Sequence, residues 1–163
     1  MKLIFNKKDI LWGGIILAVS DGFAAYLTGG FSWLRFFGLF AIGSTLYAVE
    51  IPTFFAWLEN YTKIHFTSFK RKIIKAVAVV IFFNPIWLFR HFAFIDIFTG
   101  QFDLINLHLL QTASLSYLIN IPMSLIGNYI IQNVIALDWR FIASSIYSAI
   151  MIIYFALSQV YFQ

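Results

Sequence analysis

Five long apolar stretches follow one another along the chain, at roughly 10–28, 35–58, 73–98, 104–131 and 140–162. Short polar joints separate them: Thr28-Gly29-Gly30, the basic stretch 59–72, Thr99-Gly100-Gln101, and the segment from Gln132 to Trp139. A helix crossing the ~30 Å hydrocarbon core of a bilayer needs about 20 mostly apolar residues, and each stretch meets that length. A transmembrane barrel would instead need strands of alternating polarity, and no alternation is sustained here. The pattern predicts an all-α integral membrane bundle of about five transmembrane helices, forming a single domain over residues 1–163.

Composition sharpens this reading. Of the 163 residues, 61% are apolar and 11% are charged, against roughly 45–50% and about 25% in average soluble domains. A soluble fold of this size leaves too much of its chain at the boundary to hide that apolar surface. Cysteine is absent, which removes disulfides, thiolate nucleophiles and thiolate metal sites. The basic start at Lys2 to Lys8 resembles a secretory signal, but no small-residue cleavage site follows and Asp21 interrupts the apolar run. It reads as the first retained helix.

The net charge of +4 sits mostly in two flanks, Lys2, Lys7 and Lys8, and then Lys63, Lys70, Arg71, Lys72 and Lys75. That distribution follows positive-inside topology and does not suggest nucleic-acid binding. The first and third joints together offer only Arg35, against Asp96 and Asp103. The N-terminus is therefore expected on the cytoplasmic or matrix side and the C-terminus opposite, in a bacterial or organellar inner membrane. Trp12, Trp33, Trp57 and Trp139 fall near span ends, where aromatic belts form, whereas Trp87 does not.

Two segments repeat a pattern. Residues 43–52 (GSTLYAVEIP) and 113–122 (ASLSYLINIP) share Ser-x-x-Tyr-x-x-polar-Ile-Pro without a gap. The preceding turns also match, Thr28-Gly29-Gly30-Phe31 against Thr99-Gly100-Gln101-Phe102. Ala143-Ser144-Ser145-Ile146-Tyr147 is a third, decayed echo. The pattern predicts a parallel repeat of helical hairpins about an axis along the membrane normal.

Ionisable groups inside a bilayer cost roughly 2.5–3.5 kcal/mol even on the lenient insertion scale. Asp21, Glu50, Arg90, His91 and His108 all fall within spans. At 1.5 Å per residue, Asp21 lies about 10 Å below Thr28 and Arg90 about 12–14 Å below Thr99. Similar depth favours an Asp21–Arg90 ion pair, with an outward vestibule and snorkelling of Arg90 as the alternatives. Glu50 stands two residues before Pro52, as Asn120 stands before Pro122. Each proline frees a carbonyl about one turn earlier, near residues 48 and 118. A carboxylate or amide beside a freed carbonyl suits a coordinating site, while a hydrogen bond that glues helices is the plainer reading. Asn84-Pro85 adds a third expected kink, and Asn128-Tyr129 a further polar spot. Gly13, Gly14, Gly22, Gly38 and Gly43 suit close helix packing.

Catalytic constellations are missing. The three histidines show no metal-ligand spacing, and no G-x-S-x-G, phosphate loop or C-x-x-C occurs. No cofactor, metal or enzymatic activity is expected.

Several features in order resemble the Mpv17/PMP22 family of small integral membrane proteins. They are Ser20-Asp21-Gly22-Phe23-Ala24-Ala25, Arg35, Gly43, Pro52 and Trp57-Leu58-Glu59, then Pro122, Asn128-Tyr129, Arg140 and Leu157-Ser158. The departures are Ile121 in place of the Trp of Trp-Pro, Glu50-Ile51 before Pro52 in place of Gly, and Asn133 where a second Pro stands in the family. The resemblance implies a small channel or metabolite-permeation role in an inner membrane, with oligomerisation. The chain is also similar to small bacterial L-alanine exporters in its Leu-x-Gly turn and its Phe82-Phe83-Asn84-Pro85 step, though those have four spans.

The expected function is a channel or transporter for small polar metabolites or ions. Its cavity would take Glu50 and Asn120 inside and Asp21 and Arg90 towards the mouth, with Asn84 and Asn128 as further polar lining. The expected partners are the lipid bilayer, the solute and further copies of the chain. The alternatives are a structural or assembly subunit of a membrane complex and an intramembrane lipid-modifying enzyme.

Overall fold

The computed structural model describes residues 3–161, with side chains throughout except at 108 and 154–161. Five helices run along the chain: α1 Lys7–Leu27, α2 Trp33–His65, α3 Ser68–Thr99, α4 Leu107–Asn133 and α5 Arg140–Tyr161. Single 3₁₀ turns, Phe102–Leu104 and Leu137–Trp139, precede α4 and α5. No strand occurs among the described residues. Among the described residues, four helices are long and apolar enough to cross a membrane: Lys7–Leu27, Trp33–His65, Ser68–Thr99 and Leu109–Asn133. The chain therefore has the helical, apolar make-up of a membrane protein. The end of the fifth expected span, the Leu157-Ser158 pair and the His108 side chain fall outside the described residues and side chains.

Two helices are longer than the apolar stretches that announce them. The basic stretch 59–72, expected as a joint, is nearly all helical, and only Phe66 and Thr67 separate α2 from α3. Lys, Arg and Glu are good helix formers, so a charged stretch ends the apolar run without ending the helix. At 1.5 Å per residue α2 is about 50 Å long, well beyond the ~30 Å core.

The helix starts and stops follow local chemistry. Asn6 caps α1, its Oδ1 accepting from the Lys8 N–H at 3.0 Å, which satisfies one orphan donor of the first turn. The α1 and α3 C-termini close alike. Gly29 (φ +74°) and Gly100 (φ +73°) take the left-handed conformation that an L side chain resists. The Gly30 N–H then reaches back to Ala25 O at 2.8 Å and the Gln101 N–H to Asp96 O at 2.8 Å, the six-to-one bond of a Schellman cap. The hydroxyls of Thr28 and Thr99 donate one turn back, to Ala24 O at 3.1 Å and Ile95 O at 2.9 Å.

Both α2 and α3 contain a widened π turn, at Gly43–Tyr47 and Val79–Phe83. In α3 the Asn84 N–H bonds to Val79 O, five residues back. The turn includes Ile81, whose carbonyl Pro85 cannot serve because proline lacks an N–H. The expected carbonyl release near Pro52 is preceded by the other π turn, which ends at Tyr47. Pro122 lies within α4, which is α-helical throughout. The two sequence-similar segments thus differ in backbone: 43–47 is π-helical and 113–117 is α-helical.

Contacts gather the chain into two compact units, Met1–Phe54 with Asp138–Gln163, and Phe55–Leu137. In the first, α1 packs on the beginning of α2 and on α5. Gly13, Gly14 and Gly43 make this approach close. A Cβ on Gly43 would stand 2.6 Å from Gly13 O, and one on Gly13 would stand 2.7 Å from the Phe141 ring. A Cβ on Gly14 would collide with Ser44 Oγ, and one on Gly22 would stand 2.9 Å from the Phe36 ring. These four of the five small residues singled out in the sequence sit where helices nearly touch. In the second unit α3 packs along α4, around Leu109, Ala113, Val79, Val80 and Ile131.

Candidate functional site

In the first unit, the turn between α1 and α2 brings the first-turn residue Arg35 alongside Asp21, two turns from the end of α1. Arg35 Nε donates to Asp21 Oδ2 and Nη2 to Oδ1, each at 2.7 Å. Asp21 is 1% exposed and the Arg35 side chain 16%. Planar guanidinium and carboxylate meet two-on-two, the strongest geometry open to such a pair. This corrects the expected Asp21–Arg90 pair. Depth along two helices permits many partners, whereas the short turn sets the start of α2 directly beside the end of α1. Arg90 is half-buried on α3, in the second unit.

The π turn of α2 lies against α1. Ser44 Oγ is buried there and has no hydrogen-bond partner among the described residues. Tyr47, which closes the turn, is 2% exposed. Glu50 follows one turn later and is half-buried. Below them Thr53 Oγ1 accepts from the Ile4 N–H at 3.0 Å. Near the start of α1, Lys8 Nζ donates to Asp138 O at 2.7 Å and stands 3.9 Å from the centre of the Trp139 ring, a cation–π contact.

The second unit carries a polar cluster that sequence reasoning missed. Glu59 binds two cations at once: Arg71 Nη2 pairs with its Oε1, and Lys75 Nζ lies 2.9 Å from its Oε2. Lys75 also donates to Gln132 O at 2.6 Å, and Lys75 itself is 4% exposed. That carbonyl belongs to the last turn of α4, where the helix offers no N–H and the dipole favours a cation. Asn133 Nδ2 donates to Lys72 O at 3.1 Å, so the end of α4 is fastened to the start of α3. The available signal is the four-residue spacing of Arg71 and Lys75, which puts both on one helix face. Membrane topology accounts for the same charges, and so hides it.

Of the remaining expected site residues, Asn128 is buried and donates from Nδ2 to Ser124 O at 2.9 Å. Asn120 is half-buried on α4, and its Oδ1 is enclosed without a hydrogen-bond partner among the described residues. Asn84 is half-buried directly after the second π turn. His91, 2% exposed, stacks on Trp87 with ring centres 5.1 Å apart and planes 5° from parallel. Glu50 and Asp21 belong to the first unit, and Asn84, Arg90, Asn120 and Asn128 to the second. Among the described residues no three His, Asp or Glu side chains gather as a metal ion would require.

No family model matches the chain, and neither a curated protein nor a solved structure matches it.

Proposed function

We propose that the chain is a channel or transporter for small polar solutes or ions, with its polar site carried inside the membrane by the π turn of α2. The observation that supports this reading is the buried Ser44 hydroxyl, without a partner among the described residues, on that widened turn. An unsatisfied polar group in hydrocarbon costs several kcal/mol, about 2–7 depending on the reference state. π turns are concentrated at functional positions, and interrupted helices supply backbone groups to solutes in transporters. Glu50, one turn along, would give the site a carboxylate. Within this proposal α5 is a fifth span, the N-terminus faces the cytoplasm or matrix, and the membrane is a bacterial or organellar inner membrane. The likeness to the Mpv17/PMP22 family and the hairpin repeat belong to the same proposal. The matching Schellman turns at Gly29 and Gly100 support the repeat.

A liposome flux screen across amino acids, organic anions and inorganic ions tests it. Ser44→Ala and Glu50→Gln are expected to alter flux while leaving the helical spectrum intact. Unchanged flux in both folded variants would sink the assignment.

One observation favours a second reading, in which the chain is an assembly subunit or binds further copies of itself. Gln111, Thr112 and Ser114 are exposed on α4, and 17% of the most apolar part of that helix is buried. Polar side chains on an open membrane helix suit a partner helix. Purification with a stoichiometric partner, together with absence of flux in the isolated chain, would favour this reading over transport.

A further inference from the structure

The α2–α3 connection joins two helices that are each long and apolar enough to span a membrane, and with both helices in a bilayer it would lie at the membrane surface. Its chemistry is uneven in sign. Glu59 engages Arg71 and Lys75, but Lys63, Lys70 and Lys72 are exposed, and their ammonium groups meet no acceptor among the described residues. The first turn of α3 holds no acidic residue, and Thr67 gives no side-chain cap. The positive end of the helix dipole is thus met by further positive charge, an arrangement that a bound anion would relieve.

Apolar and aromatic groups surround these lysines. Ile64 and Phe69 are 78% and 74% exposed. Phe69, Lys72 and Ile73 stand three and four residues apart, one turn along the helix surface. On the last turns of α2, Trp57, Tyr61 and His65 form an exposed ladder. Ring centres are 5.4 Å apart from Trp57 to Tyr61 and 4.4 Å from Tyr61 to His65. Amphipathic rings of this kind settle at the headgroup level, and lysines beside them attract anionic lipid.

We infer that this end of the second unit is a binding surface for anionic phospholipid headgroups, with Lys63, Lys70 and Lys72 meeting the phosphate and the Trp57–Tyr61–His65 ladder and Phe69 lying beside them at the headgroup level. A lysine near an anionic surface is worth about fivefold in affinity, so the three together contribute on the order of a hundredfold. Attraction of this kind is screened within about 10 Å at moderate salt. The inference is independent of what solute, if any, the chain moves.

The test is thermal unfolding of the full chain in neutral detergent, titrated with phosphatidylglycerol, phosphatidylcholine or inorganic phosphate. Phosphatidylglycerol is expected to raise the melting temperature more than phosphatidylcholine does, and high salt to shrink the difference. In the K63Q/K70Q/K72Q variant the apparent affinity for phosphatidylglycerol is expected to fall about tenfold or more. The salt arm uses the unaltered chain, so the inference stays testable even if the triple variant does not fold. Equal effects of the two lipids, a salt-independent shift, an unchanged affinity in the folded variant, or a full shift from inorganic phosphate alone would each overturn it.

Discussion

Arg35 grips Asp21 through two separate nitrogens, each 2.7 Å from its own carboxylate oxygen, at a place where the carboxylate is 1% exposed. The pair ties the end of α1 to the beginning of α2, so the hairpin is closed by charge at one end and by glycine contacts further along. Removing one partner of such a pair is expected to hurt more than removing both. Asp21→Asn leaves a guanidinium without its counter-charge and is expected to cost about 3–5 kcal/mol. Asp21→Leu combined with Arg35→Leu removes both charges and is expected to recover most of that loss. Thermal unfolding in detergent measures both, and equal losses in the single and double variants would contradict the account.

The glycines of the first unit predict a contrast. Gly43→Ala would push a Cβ to 2.6 Å from Gly13 O, a backbone atom that cannot swing aside. The expected cost is about 1–3 kcal/mol or more. A Cβ added at Gly30 would meet nothing within 4 Å, and its φ is not positive. Gly30→Ala is therefore expected to change stability by less than about 0.5 kcal/mol. Comparable losses at the two positions would show that helix contact is not what selects glycine at 43.

The two turn glycines predict a likeness. Gly29 and Gly100 have φ of +74° and +73°, and neither has a neighbour that a Cβ would strike. Alanine at either position is expected to cost about 1–2 kcal/mol through the backbone alone, with asparagine costing less. Matched melting curves of Gly29→Ala and Gly100→Ala would check this. A large difference between them would mean the two caps are not equivalent in energy.

At the other end of the second unit, Glu59→Gln leaves Arg71 and Lys75 close together with their shared anion gone. Glu59 is 18% exposed and Arg71 29%, so solvent screens part of the loss. The expected cost is about 2–3 kcal/mol, below the figure for a fully buried pair. Lys75→Met in the same background should restore part of the stability, because the charge most deeply enclosed is then removed. A double variant no more stable than Glu59→Gln would argue against the cluster.

Much of the architecture was legible because its causes are local. Hydropathy over about 20 residues marked α1, α3 and α4 within a few residues of their centres. The segments 28–31 and 99–102 share Thr-Gly-x-Phe, and Gly29 and Gly100 both take the left-handed conformation, since such a cap depends on one glycine and its immediate neighbours. Helix ends were less legible. Lys63 and Lys70 looked like loop residues, yet they sit in helices, because the membrane boundary and the helix boundary are set by different forces.

The candidate site was legible only as an inventory of costly polar residues. Asp21 stood out by its cost in a membrane, but its partner did not. Arg35 looked like a joint residue, and depth alone pointed to Arg90. Lys75 looked like topology, Glu59 stood out only as the end of Trp57-Leu58-Glu59, and the Gly43–Tyr47 π turn left no mark that hydropathy could register. Residue order was enough to specify a helical membrane chain, its turns and its short list of intramembrane polar groups, because those follow from solvent transfer and single-residue backbone preference. Which polar groups meet, and which turns widen, emerged from the packed helices alone, because both depend on how each helix is rotated against its neighbours.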